Sequence, residues 1–267
     1  MSWRHVAVAT EAVVQAGAIQ LERYGQGVKV DYKGEIDLVT EVDHACEAAI
    51  LDVIRSRFPD HDIVTEEQDL ARTGSRYVWL IDPLDGTINF AHAYPMFSAS
   101  AALAVDGEVV AGAVFDPIRD ELFTAEKGAG AHLNGRRLGV TRADALIRSL
   151  IITGFPYDLH QRLVERLRPF VRVMARARAV RRAGSAAIDL SYVAAGRADG
   201  FWEAVLKPWD MGAGRLMVQE AGGRVTRFDG TPVSLGPDEI VATNGLIHDE
   251  LMAVLREEAK TAEAALA

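Results

Sequence analysis

Apolar positions near the start of the chain recur at helical spacing. Val6, Val13, Val14, Ala18 and Leu21 form one stripe, and Tyr24-Gly25 ends it, so residues 2–24 are predicted to form an amphipathic helix. Residues 28–38, around Lys33-Gly34, lack that period and read as an irregular or hairpin segment. Thr40 followed by Asp43 has the form of a capping box and predicts a helix over 41–57, which stops before Pro59. Residues 62–65 and 77–82 read as short strands carrying Glu66-Glu67 and Asp82 near their ends. A meander follows, with strands over 97–105, 108–116 and 121–125, a hairpin turn at Asp106-Gly107, and further turns at 128–130 and Asn134-Gly135.

The second half mixes the two periods. A strand near 149–153 leads to a helix over 159–174, and another helix runs from Gly184-Ser185 to Ala195. Strand 199–203 precedes a helix that begins at Pro208-Trp209-Asp210 and ends at Gly222-Gly223. Strands near 224–228 and 239–243 come next, then a last helix from 246, with a tail beyond 257 expected to fray. Helices and strands alternate in groups, which argues for a layered α+β or α/β sandwich with helices covering the sheets. No internal repeat or low-complexity linker divides the chain. Residues 1–267 read as a single domain, with 140–148 the best candidate for a subdivision between two sheet regions.

Composition narrows the class. A hydrophobic share of 49% and a charged share of 25% are those of an ordinary globular protein. The net charge of −9 disfavours a nucleic-acid partner, and the basic block 162–182 reads as a solvated helix face. The single cysteine, Cys46, excludes an intrachain disulfide and sits in an apolar helical pattern as a small buried side chain. No signal-peptide pattern and no apolar run of membrane-spanning length is present, so a cytoplasmic protein without a membrane partner is expected.

The chemistry concentrates in Trp79-Leu80-Ile81-Asp82-Pro83-Leu84-Asp85-Gly86-Thr87-Ile88-Asn89-Phe90. An apolar run ends in two carboxylates, which a turn pre-set by Pro83 and relaxed by Gly86 brings together. Close carboxylates repel and need cations or shared protons; hard oxygen ligands of this kind suit Mg²⁺ with substrate phosphate oxygens. The N–H groups of Gly86 and Thr87 would face an anion at a helix start. Three further pieces place acids at strand ends or helix starts: Asp37–Asp43, Thr65–Glu67 and Pro208–Asp210. Singly each has a bland reading, with Asp43 a first-turn acid, Glu66 and Glu67 a solvated loop, and Asp210 an N-cap.

Together these pieces stand in the order and context of the inositol monophosphatase family, which the chain resembles from Lys33 through Gly223. The most specific parts are the 79–90 segment and Trp209-Asp210 with Ala213-Gly214, followed by Glu220–Gly223; Lys127–Ala131, Asn134-Gly135 and Gly184–Ala187 add support. The resemblance implies a layered αβαβα sandwich and a magnesium-dependent, lithium-sensitive phosphomonoesterase acting on inositol 1-phosphate. It implies that Glu66, Asp82 and the Leu84 carbonyl hold a first Mg²⁺, that Asp82, Asp85 and Asp210 hold a second, and that Glu66 holds a third through water. Asp43 and Thr87 resemble the pair that orients the attacking water, with Glu66 assisting. Gly86 and Thr87 resemble the phosphate cradle; Asp85, Ala186 and Glu203 resemble contacts to the leaving alcohol, with Asp210 also facing substrate. Lys33 resembles a mobile lysine near the metals, and a homodimer is implied.

Charge arithmetic agrees with this use. Glu66, Asp82, Asp85 and Asp210 bring four negative charges and a phosphate monoester nearly two more, so two or three Mg²⁺ ions balance the site. The chain departs from the family pattern at Ile88, where a second Thr is common, and at Thr65, where Gly is frequent and Thr is expected to stiffen the Glu66 loop. No Gly-x-Ser-x-Gly elbow, P-loop or His-Glu-x-x-His is present, and the histidines lack ligand spacing. Two competing readings stand beside the first. One keeps the chemistry on histidinol phosphate, fructose 1,6-bisphosphate or adenosine 3′,5′-bisphosphate; the other is a binding or regulatory module that retains the fold.

Overall fold

Period-two alternation in long apolar strands sets the architecture of the computed structural model, which describes residues 3–27, 30–32 and 38–257. Helices α1 (Trp3–Arg23) and α2 (Glu41–Arg57) flank a short antiparallel pair, β1 (Val30–Tyr32) and β2 (Leu38–Thr40). The turn expected around Lys33-Gly34, Asp37 and the tail beyond 257 lie outside the described residues. A seven-stranded sheet follows in chain order: β3 (Asp62–Thr65), β4 (Tyr77–Asp85), β5 (Ser98–Val105), β6 (Glu108–Asp116), β7 (Glu121–Glu126), β8 (Gly130–Leu133) and β9 (Arg136–Arg137). Only β3 and β4 run parallel; the rest is an antiparallel meander, and the short helix α3 (Thr87–Ala91) sits between β4 and β5.

The second sheet is built from β10 (Leu150–Thr153), β11 (Ala179–Arg181), β12 (Gly200–Leu206), β13 (Arg224–Thr226) and β14 (Asp238–Thr243), in the order β11-β10-β12-β14-β13. Its connections carry α4 (Leu163–Met174), α5 (Ala186–Ala194) and α6 (Pro208–Glu220), and α7 (His248–Arg256) closes the described chain. The connector 138–149 separates the two sheets, where the sequence places its candidate subdivision.

Alternating side chains then fix the layers. On β4, Trp79 and Ile81 pack with Val13 of α1 and Ile50 of α2, while Val78 and Leu80 pack with Leu190 of α5 and Met217 of α6. On β12, Phe201 joins that same α5/α6 layer, and Trp202 turns the other way toward Val173 of α4 and Leu251 of α7. The order is α1/α2, large sheet, α5/α6, small sheet, α4/α7: an α+β fold in the αβαβα arrangement. Among the described residues no helix is long and apolar enough to cross a membrane.

Four local expectations are corrected. Strand β4 does not turn at Pro83; it runs on to Asp85, with a register shift between Asp82 and Asp85. The helix expected from 159 starts at Leu163, after a separate 3₁₀ turn over Tyr157–His160. Edge strand β11 and the β8/β9 hairpin are additional, because short polar strands carry little period. The basic block is a solvated face only in part: Arg172 donates to the carbonyls of Leu255 and Glu257 just at the end of α7. Cys46 is fully buried as expected, and burial pushes its thiol pKa up.

Candidate active site

The acidic residues collect where β4, α2, α5 and α6 end or begin. Thr40 caps α2: its hydroxyl accepts the Val42 N–H at 3.1 Å, and its own N–H donates to Asp43 Oδ2 at 2.8 Å. The other oxygen, Asp43 Oδ1, accepts the Thr87 hydroxyl at 3.0 Å. Asp43 is therefore the first-turn acid of α2 by one oxygen and the partner of Thr87 by the other. Thr87 opens α3 and also lies 3.0 Å from the Leu84 carbonyl.

Gly86 makes this approach possible. Its φ is +95°, in the region only glycine enters freely, and a Cβ there would sit 3.0 Å from the Met96 carbonyl and 3.1 Å from that of Gly184. The break in register also leaves the Pro83 carbonyl off the ladder. Gln20, fully buried on α1, donates to that carbonyl at 2.8 Å and to the Ser98 carbonyl at 3.2 Å. Asp82 Oδ1 accepts the Leu84 N–H at 3.0 Å, which holds the segment between the two aspartates in one shape.

Asp85 reaches across to α5. Its carboxylate accepts the Ser185 hydroxyl at 2.5 Å and the N–H groups of Ala187 at 2.8 Å and Ala186 at 3.2 Å. Ser185 precedes α5 without capping it, because its hydroxyl is spent on Asp85. Asp210 is the third residue of α6, not the N-cap; its Oδ2 accepts the Lys207 N–H at 2.7 Å. Glu66 follows β3, and the loop that carries it is fastened on both sides to buried Glu47. The Thr65 hydroxyl donates to Glu47 Oε1 at 2.6 Å, and Gln68 donates to Oε2. That anchoring is the stiffening expected from Thr65.

Electrostatics bind the group into one site. Asp82 is pushed well above its ordinary pKa by burial, then by the charges of Glu66, Asp85, Asp210 and Asp43. Asp210 is raised well above its ordinary value by burial, against the Lys207 N–H and with repulsion from Glu66, Asp85 and Glu203. Burial raises Asp85 too, against the donors from Ser185, Ala187 and Ala186. Glu203, on β12, is pushed up to about 8 by burial and by Asp85, with Arg182 opposing. Every predicted site residue among those described is thus brought to one place, while Lys33 lies outside them.

Sequence reasoning missed Glu47, Gln20, Ser185 and Asp189. Glu47 stands one helical turn from Asp43, a spacing that was available as a signal. Asp189, buried on α5 and raised well above its ordinary value by burial, Asp85 and Glu203, has the same relation to Ser185. Gln20 acts across a long sequence separation and leaves no local signal; Ser185 stands in the Gly184–Ala187 motif, but its partner Asp85 lies 100 residues away.

The donor set fits hard divalent cations. Among the described residues Asp82, Asp85 and Asp210 make no ion pair, and Asp82 is raised by the charges of its acidic neighbours. Among the described residues no group of three His, Cys, Asp or Glu side chains stands close enough to hold a metal ion by itself. Carboxylate and carbonyl oxygens are the donor type that Mg²⁺ takes, together with waters and phosphate oxygens.

Comparison with known proteins agrees with this geometry. The family model described as inositol monophosphatase family matches residues 3–261. An inositol-1-monophosphatase from Synechocystis is 45% identical over 250 residues, covering 93% of this chain and 87% of that protein. The Escherichia coli protein named Nus factor SuhB is 42% identical over 254 residues, covering 94% and 95%. The solved structure of inositol monophosphatase from Anabaena (Nostoc) superposes with a TM-score of 0.86 at 40% identity, covering 95% of each chain.

Proposed function

The chain belongs to the inositol monophosphatase family and is a phosphatase, and from that premise we propose that it hydrolyses inositol 1-phosphate to inositol and phosphate in a Mg²⁺-dependent reaction. The observation that carries this reading is the convergence of Glu66, Asp82, Asp85 and Asp210 on one another beside the Thr87–Asp43 hydrogen bond. Glu66, Asp82, Asp85, Asp210 and the Leu84 carbonyl would hold two or three Mg²⁺ ions. When bound, such ions neutralise the phosphate, acidify the attacking water and stabilise the leaving alkoxide.

The protein's own groups do the positioning. Thr87 donates its hydrogen to Asp43, so the remaining lone pair on its oxygen accepts from the attacking water and aims it. A proton displaced from that water passes to Thr87 as Thr87 gives its own to Asp43, and Glu66 assists. The N–H groups of Gly86 and Thr87, at the start of α3, would donate to the phosphate oxygens. Glu203 and the α5 start at Ala186, fixed by Asp85, form the wall that meets the hydroxyls of the leaving alcohol, with Asp210 beside them. The same reading includes a cytoplasmic homodimer that Li⁺ inhibits.

The test is phosphate release from inositol 1-phosphate, glycerol 2-phosphate, histidinol phosphate, fructose 1,6-bisphosphate and adenosine 3′,5′-bisphosphate, each with Mg²⁺ and with EDTA. Preference for inositol 1-phosphate and silence in EDTA support the proposal. Preference for another ester keeps the chemistry and moves the substrate. A second reading, a binding or regulatory role beside catalysis, is favoured by the 42% identity to proteins named Nus factor SuhB. Silence across the whole panel would move the function to that reading.

A further inference from the structure

We propose that Gly154 is a specificity-determining residue: the missing side chain at the end of β10 is the space in which the Glu203 carboxylate lies. The inference rests on the reading of Glu203 as part of the alcohol wall, and it names what puts that wall in place. A Cβ at position 154 would stand 2.1 Å from Glu203 Oε2 and 2.4 Å from both its Cδ and Oε1. All three nearest atoms belong to Glu203, so the vacancy is shaped by this one carboxylate.

The residues on both sides of 154 are tethered. Thr153 is in parallel register with Trp202, and its hydroxyl donates to the Trp202 carbonyl at 2.8 Å. On the far side Phe155 is held by Phe170, with ring centroids 5.6 Å apart, and by the Arg182 guanidinium 5.5 Å above its ring. A side chain at 154 is therefore met by movement of the freer partner, the end of Glu203.

Glu203 is delivered to this space by an irregular piece of strand. Its pairing with β14 breaks between Glu203 and Leu206, and Val205 within the break has a φ of +67°. Breaks of this kind re-aim a side chain beside a site. Here the re-aimed group is a buried carboxylate, and Gly154 is what accepts it.

The test compares kcat/KM for inositol 1-phosphate with kcat/KM for p-nitrophenyl phosphate, whose leaving group has no polyol hydroxyls. The ratio of the two is measured for the wild type, Gly154→Ala, Glu203→Ala and the double variant. Gly154→Ala is expected to lower the ratio by about 2- to 10-fold, the worth of a lost hydrogen bond to an uncharged carboxyl. It should reach the Glu203→Ala level, and the double variant should fall no further. An unchanged ratio in Gly154→Ala beside a lowered one in Glu203→Ala overturns the role of Gly154 alone. An unchanged ratio in Glu203→Ala overturns the alcohol-wall reading and this proposal with it. Should Gly154→Ala prove insoluble, a soluble Gly154→Ala/Glu203→Ala protein supports the stated clash, and an insoluble one refutes it.

Discussion

Replacing Glu203 with Gln turns the titration of its buried carboxyl into a measurable slope. The carboxyl titrates near 4.5 when free and near 8 in the folded chain, raised first by burial and then by Asp85. A carboxyl whose folded pKa lies above its unfolded one favours the fold while both states are protonated, and that advantage is lost as pH rises from 4.5 toward 8. Between about pH 5 and about pH 7 the unfolded carboxyl sheds its proton and the folded one keeps it, so wild-type stability falls by about 2.5 kcal/mol from this group. Gln is nearly isosteric with the protonated form and does not titrate. Urea unfolding of metal-free protein at both pH values reads the difference. Asp82, Asp85, Asp189 and Asp210 remain in both proteins and largely cancel. The stability of Glu203→Gln relative to wild type should therefore rise by about 2.5 kcal/mol from the lower pH to the higher. Parallel stability curves would refute the assignment of a buried, protonated Glu203.

Three other substitutions probe the scaffold. Gly86→Ala places a Cβ 3.0 Å from the Met96 carbonyl at a φ of +95°, and should cost about 2 kcal/mol or more in thermal melts and lower turnover with it. Thr87→Val keeps the shape and removes the hydroxyl that donates to Asp43; turnover should drop roughly 100-fold with the circular dichroism spectrum unchanged, and a normal rate would exclude Thr87 from orienting water. Val205→Gly releases a β-branched residue from a φ of +67° and should raise stability by about 1 kcal/mol in chemical unfolding, whereas a loss would show that the Val205 side chain stabilises the bend.

The sequence made the long periodic elements and the acidic motifs legible, because each depends on neighbours in the chain. The Thr40–Asp43 capping box and the Asp106-Gly107 hairpin are of this kind, and both occur where the spacing places them. The path of the chain at Pro83 was not legible. Pro followed by Asp-Gly predicts a turn, yet the strand continues, because its pairing with β3 has already ended at Thr65–Ile81. Beyond that point Pro83 occupies an edge position where its missing N–H costs nothing, and Gln20 takes up its carbonyl. The partner of Asp85 was equally hidden, since Ser185 lies 100 residues away and the contact exists only once α5 is laid between the sheets.

The hydrogen bonds also decide how the acidic residues should be altered. Asp43, Asp82 and Asp210 each give one oxygen to a backbone N–H: that of Thr40, Leu84 and Lys207 respectively. Fold and chemistry thus share each carboxylate, oxygen by oxygen. An alanine there removes the structural acceptor together with the charge, leaving an orphaned N–H and mixing a folding loss into any loss of rate. At Asp82 and Asp210, asparagine keeps a carbonyl for the N–H and removes only the charge. At Asp43 the second oxygen also accepts the Thr87 hydroxyl, and at Asp85 both oxygens are engaged by the start of α5. An amide in place of Asp85 sets its NH₂ against the Ala186 N–H, or against Ser185 and Ala187. Asp85→Asn should therefore loosen the contact between the large sheet and α5, and the alcohol wall with it, even where Asp82→Asn and Asp210→Asn leave the fold intact.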